Sequence, residues 1–116
     1  LDHVRELAPR FGQGLADLAE HPLVGEARGV GLIGAVEVVA DRRSKQSFPP
    51  AAGVAAYAGQ RAAVHGVITR ALGDTVNLCP PLIINEHELD ALFAGIRAAL
   101  DDTLAWVRSN PELSSL

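Results

Sequence analysis

The stretch "RGVGLIGAVEVV", Arg28–Val39, carries Gly29, Gly31 and Gly34 in the spacing G-x-G-x-x-G. A dinucleotide site on that spacing needs a strand before the glycines, a helix opening at the third, and an acidic residue about twenty positions on. Here the apolar alternation continues through the third glycine. Val30, Leu32, Val36 and Val38 share one side and Ile33, Ala35 and Val39 the other, with Glu37 the single interruption. "PPAAGV" stands where the acid would be required. Without a helix N-terminus, no aligned backbone dipole faces a phosphate. Residues 30–39 are therefore expected to form one strand, apolar on both faces and so central in its sheet or covered on both sides. The glycines are read as relieving crowding where a neighbour packs close.

Upstream, Val4, Leu7, Phe11, Leu15 and Leu18 recur at helical spacing, which predicts a helix over residues 2–21, kinked or restarted at Pro9. "HPLVGEARG" is read as the exit from that helix. Downstream, "ADRRSKQSFPP" is a polar loop, followed by a small-residue helix over residues 51–65 with Gly66 as a left-handed cap. "VITRAL" and "TVNLCP" then flank Gly73-Asp74, a two-residue loop of the type II′ hairpin class. That register sets Leu72 opposite Thr75, Arg70 opposite Asn77, and Ile68 opposite Cys79. Val67, Thr69, Ala71, Val76 and Leu78 fall on a core face. Arg70 and Asn77 lie side by side on the other face, between Ile68 and Leu72.

Pro80-Pro81 ends the strand. The last helix opens with Asn85 as N-cap, Glu88 at the capping-box position and an Ile84–Leu89 staple. Leu89, Leu92, Phe93, Ile96, Leu100, Leu104 and Val107 form its apolar stripe, and Pro111 marks a stop. The order α-β-α-β-β-α describes an α+β domain, helices covering a small, mostly antiparallel sheet.

The 116 residues suit one domain. Its mean hydropathy of +0.17 is high for a small free-standing domain and hints that one apolar face is covered by something outside the chain. A net charge of −4 and only five aromatic residues argue against a nucleic-acid partner. Cys79 is the only cysteine, so no internal disulfide forms, and a cytoplasmic setting is expected. No apolar run is long enough to span a membrane, and no signal peptide is recognisable. The chain starts at Leu1 and contains no methionine, so a domain cut from a longer protein is expected.

Few side chains present themselves as chemistry. His3, His21, His65, His87 and Cys79 show no metal-ligand spacing and read as surface or cap residues, so no metal site is expected. Glu37, alone in an apolar strand, reads either as a catalytic carboxylate or as an ion-pair partner, with Arg28 within reach. Tyr57 and Trp106 fit packing stripes. The basic residues Arg42, Arg43 and Lys45 read as a solvated loop, and exposure disfavours Lys45, the only lysine, as a catalytic amine. Arg70 on residue pattern alone reads as a solvated hairpin arginine, with Asp74 a possible partner.

"HPLVGEARGVGLIGAVEVV" together with "GVITRALGDTVNLCPPLIINEHELDALF" closely resembles the C-terminal small domain of class III, pyridoxal-phosphate-dependent aminotransferases. The resemblance runs from about Leu1 to Val107, and "TRALGD" is similar to the amine and ω-amino acid:pyruvate group. It implies the small-domain fold of fold-type I aminotransferases, and a substrate-binding role for Arg70. That arginine would pair with the substrate carboxylate and swing aside for an uncharged substituent. A guanidinium fork suits a carboxylate held through two hydrogen bonds. The cofactor-binding large domain, with its Schiff-base lysine, has no counterpart in these residues. Pyridoxal phosphate is thus expected in the full-length enzyme and not on this fragment, which alone is expected to be inactive. The resemblance further implies the large domain as an intramolecular partner, small amino and keto acids as substrates, and a homodimer. The alternative is a free-standing amino-acid-binding regulatory or interaction module without catalysis.

Overall fold

The computed structural model describes residues 2–81 and 84–114. Leu1, and Leu82 and Ile83 of the "LCPPLII" stretch, lie outside the described residues. In chain order the elements are α1 (Asp2–Leu18), β1 (Val24–Val30), β2 (Ile33–Val38), a 3-10 turn (Pro50–Ala52), α2 (Val54–Val64), β3 (Arg70–Leu72), β4 (Thr75–Leu78), α3 (Glu86–Arg108) and α4 (Pro111–Ser114). The strands form one sheet in the order β1-β2-β4-β3, with every neighbouring pair antiparallel. Helix α1 packs on β1 and β2, α2 packs on β3 and β4, and α3 packs against both helices.

The expected single strand over residues 30–39 is instead a hairpin. Val30 pairs with Ile33 across Gly31-Leu32, and "VGEARGV", read from sequence as a helix exit, is β1. The reason lies in the turn. Gly31 has φ +59° and Gly73 has φ +60°, while Leu32 and Asp74 keep negative φ. Both loops thus show the sign pattern of a type II′ turn, whose first central residue favours glycine. The expectation that β2 is central holds, since it lies between β1 and β4.

Gly29 and Gly34 face each other across the first hairpin. A Cβ on Gly34 would stand 3.0 Å from the Phe11 ring and 3.1 Å from Leu15 Cδ2, so α1 sits directly on the glycine pair. The glycines admit a helix, as expected, and no helix begins at them.

Other local readings hold in part. Helix α1 runs unbroken past Pro9, contrary to the expected restart. Pro9 is exposed, so water can reach the Arg5 carbonyl that loses its usual helical donor. Helix α2 starts three residues later than expected because Gly53, at φ +64°, separates it from the preceding 3-10 turn. Its end is a Schellman motif: Gly66 donates to Ala63 at 3.0 Å and Val67 to Ala62 at 2.8 Å, with Gly66 at φ +84°. The Asn85–Glu88 capping box is complete, and Ile84 and Leu89 are both buried. Helix α3 ends at Arg108, and Pro111 opens the short α4.

Two glycine substitutions should move stability in opposite directions. A Cβ on Gly29 would meet the Ile33 carbonyl oxygen and Leu15 Cδ1 at 2.6 Å each, so Gly29→Ala should destabilise by about 1–3 kcal/mol. Gly12 lies within α1, and a methyl added there would meet nothing within 4 Å, so Gly12→Ala should stabilise by about 0.5–1 kcal/mol. Denaturant midpoints of both variants check the pair.

Candidate functional site

The sheet register divides its side chains between two faces. Ala27, Val36, Val76 and Ala71 lie in register across the four strands, with Val36 and Val76 buried beneath the helices. The adjoining row reads Arg28, Ala35, Asn77, Arg70, and strand alternation places it on the opposite, outer face. Glu26, Glu37, Thr75 and Leu72 form the next outer row. Val30 and Ile33 share this face, 84% and 64% exposed, and Leu72 is 55% exposed. Ile68, just before β3, is 93% exposed. Contiguous exposed apolar patches mark interaction surfaces.

The hairpin register around Arg70 is as expected: Arg70 opposite Asn77, Ala71 opposite Val76 and Leu72 opposite Thr75. The ladder stops there, because β3 begins at Arg70, and the expected Ile68–Cys79 pair is not part of it. Asn77 Nδ2 donates to the Arg70 carbonyl at 3.3 Å. Among the described residues, no carboxylate pairs with the Arg70 guanidinium. Asp74, the partner weighed from sequence, instead accepts from the Ser47 and Thr75 hydroxyls, each at 3.3 Å. Arg28, the second arginine of the row, is held by Glu26 at 3.2 Å. Arg28, a possible partner of Glu37 from sequence, does not pair with it: it stands opposite Ala35, diagonal to Glu37, and its guanidinium is taken by Glu26 on its own strand.

Other singled-out residues have structural roles. His21 is buried, contrary to a surface reading. Its Nδ1 accepts from the Leu23 N–H at 3.2 Å, leaving Nε2–H to donate to Asp101 at 2.9 Å, which ties the end of α1 to α3. The His3 ring meets the Ile84 carbonyl. Asp102 joins α3 to α2 by accepting from His65 at 2.8 Å and Arg61 at 3.0 Å, and these bonds hold its carboxyl below the ordinary carboxylate value. Arg42 is not simply solvated, because it donates to the Ala19 and Val24 carbonyls at 2.8 and 3.2 Å. Tyr57 and Trp106 stack with centroids 4.2 Å apart. Among the described residues, no group of three or more histidine, cysteine or acidic side chains could hold a metal. Also among them, no helix is long and apolar enough to cross a membrane.

Three surface cavities, of about 320, 500 and 430 Å³, lie at the start of α2, beside Cys79 and Pro80, and around the Tyr57–Trp106 stack. Arg70 and Lys45 line none of them. Lys45 is exposed in its loop, at φ +60°. The candidate site is therefore an open sheet face bearing a cation that has no carboxylate partner among the described residues.

Residues 1–100 match the family model described as "Aminotransferase class-III". The chain belongs to the class III aminotransferase family. A γ-aminobutyrate transaminase 3 of Solanum lycopersicum is 36% identical over 103 residues, 89% of this chain and 20% of that protein. A putrescine–pyruvate aminotransferase of Pseudomonas aeruginosa is 40% identical over 102 residues, 88% of this chain and 22% of that protein. Among solved structures, an ω-transferase from Vibrio fluvialis JS17 superposes with a TM-score of 0.91 at 39% identity, covering 94% of this chain and 26% of its own. An ω-transaminase from Pseudomonas jessenii in complex with PMP gives 0.84 at 47% identity, over 90% and 23%. This class III chain thus spans about a fifth to a quarter of the relatives it matches, whose longer chains include this fold.

The first strand of the outer face, with Glu26 and Arg28, escaped the sequence reading. Its signal was present: Glu26 and Arg28 alternate with the small Ala27 and Gly29, and Gly31-Leu32 is a Gly-X loop like Gly73-Asp74.

The bonds to Asp102 carry a pH dependence. A carboxyl lowered in the folded state contributes stability that is complete above its ordinary value of 3.8 and is lost as pH falls through the lowered one. Asp102→Asn should therefore lower thermal stability at neutral pH and flatten the further loss on acidification below that value. Melting curves across that range check this outcome.

Proposed function

We propose that this chain is the C-terminal small domain of a pyridoxal-phosphate-dependent class III aminotransferase in which Arg70 binds the substrate carboxylate. The reaction proposed is transfer of an amino group between an amine or ω-amino acid and a keto acid such as pyruvate. The observation that carries this reading is the Arg70 guanidinium, without a carboxylate partner among the described residues, on a face shared with exposed Leu72. Such apolar neighbours, once covered, lower the local dielectric and strengthen a guanidinium–carboxylate contact. Family membership and relatives that include a putrescine–pyruvate aminotransferase and an ω-transaminase solved with PMP support the reaction class.

The residues of this chain do not fit the task of holding the cofactor, since Lys45, the only lysine, is exposed and borders none of the three cavities. That task falls to a large domain elsewhere in the same polypeptide, where pyridoxal phosphate would supply the electron sink. This domain supplies one wall of the site and a cation that orients the substrate, and on its own it does not transaminate. The working form proposed is a homodimer of the full-length protein.

Arg70→Ala in the full-length enzyme tests the assignment. Loss of a charge-assisted bidentate contact should lower kcat/KM for pyruvate by about 10- to 100-fold. The visible absorbance of retained cofactor should be unchanged, and Arg70→Lys should recover only part of the loss. Equal damage to cofactor retention and to pyruvate turnover would contradict a carboxylate-binding role.

A further inference from the structure

Among the described residues, Glu37 is the carboxylate of the outer face that lacks a compensating charge, as Arg70 is the cation that lacks one. It lies on β2, inside the sheet order, with Glu26 opposite it on one side and Thr75 on the other. Like charges directly opposite across an antiparallel pair repel. Glu26 is compensated by Arg28 on its own strand at 3.2 Å, and it is exposed. Glu37 is half-buried, and among the described residues it has neither an ion-pair partner nor a hydrogen bond to its side chain. Thr75, its other neighbour, turns its hydroxyl to Asp74.

Left in water, such a glutamate is a modest defect. Leu72 lies in its row two strands away, and Val30 and Ile33 lie two rows along the same face, all exposed; a surface packed on that face would remove water from Glu37. A carboxylate desolvated in an interface requires a compensating charge. We propose that Glu37 is the docking point for a lysine or arginine side chain carried by the part of the same polypeptide that covers the outer sheet face. This rests on the reading that a large domain completes the site. The occupant is argued from charge complementarity and from relatives whose chains are four to five times the length this chain spans. The pair would set the register of the two domains and hold the Arg70 hairpin against the site, since β2 is hydrogen-bonded to β4.

The test uses the full-length protein and turns on a sign. Within this chain alone, Glu37→Gln relieves repulsion against Glu26 and should leave Tm unchanged or higher. If Glu37 meets a cation across the interface, Glu37→Gln should instead lower Tm by more than about 2 °C. Glu26→Gln, whose cation lies on its own strand, should lower it less. Coverage of the face is read separately, from thiol labelling of Val30→Cys and Ile33→Cys in a background with Cys79→Ser. Slow labelling with a lowered Tm for Glu37→Gln is the expected result. Slow labelling with an unchanged or raised Tm overturns the cation at Glu37 while leaving the covering domain in place. Labelling as fast as that of a free thiol overturns both.

Discussion

Phe11 and Leu15 of α1 lie so close over the Gly29–Gly34 pair that a methyl on either glycine would crowd a neighbour. That approach decides which side of the sheet is sealed. Strand alternation does the rest, because once Gly29, Gly34, Val36 and Val76 face the helices, Arg28, Ala35, Glu37, Arg70 and Asn77 have to face away. A one-residue slip would send the arginines into the core. The register is further pinned at both ends by two Gly-X turns, Gly31-Leu32 and Gly73-Asp74. The outward placement of Arg70 is thus a consequence of helix packing on the far side of the sheet.

What the sequence made legible was whatever carried its own local chemistry. The Gly73-Asp74 loop set the correct register for Arg70 and Asn77, and the Asn85–Glu88 box and Gly66 cap marked helix ends that the structure reproduces. Strand β1 was missed because the G-x-G-x-x-G spacing hid a turn inside an apolar alternation. Gly31 sits between two runs of matching periodicity, and only its positive φ separates them. That error propagated to the site. With β1 unread, Glu26 had no place opposite Glu37, and Arg28 was weighed only as a possible partner of Glu37 rather than of Glu26. Long-range contacts failed for a different reason: the burial of His21 against Leu23 and Asp101 depends on α1 and α3 meeting, which no local pattern encodes.

The two hairpins divide the work of the outer face. The second is short, three and four residues long, and Arg70 sits on its edge strand, so its guanidinium has room on one side. The first is longer and carries the compensated pair Arg28–Glu26 and the uncompensated Glu37. Neighbouring strands are about 4.8 Å apart, which places Arg28 and Arg70 about 14 Å from one another at the backbone. They cannot both serve one small carboxylate without long side-chain reach, and Arg28 is already engaged. On the β3 edge Arg70 has no carboxylate partner among the described residues, whereas Arg28 on β1 is engaged by Glu26.

The proposed covering surface would have a physical reason. An arginine that recognises a carboxylate in open water gains little, because both groups are well solvated and screened. The same arginine beneath a dry wall gains much more, but it must remain unpaired and accessible until the substrate arrives. A chain that buried Arg70 within its own core would have to neutralise it. Splitting the site between two packed surfaces avoids that conflict. In the proposed arrangement the sheet side keeps the Arg70 charge available, because water would be excluded only where a second surface meets it.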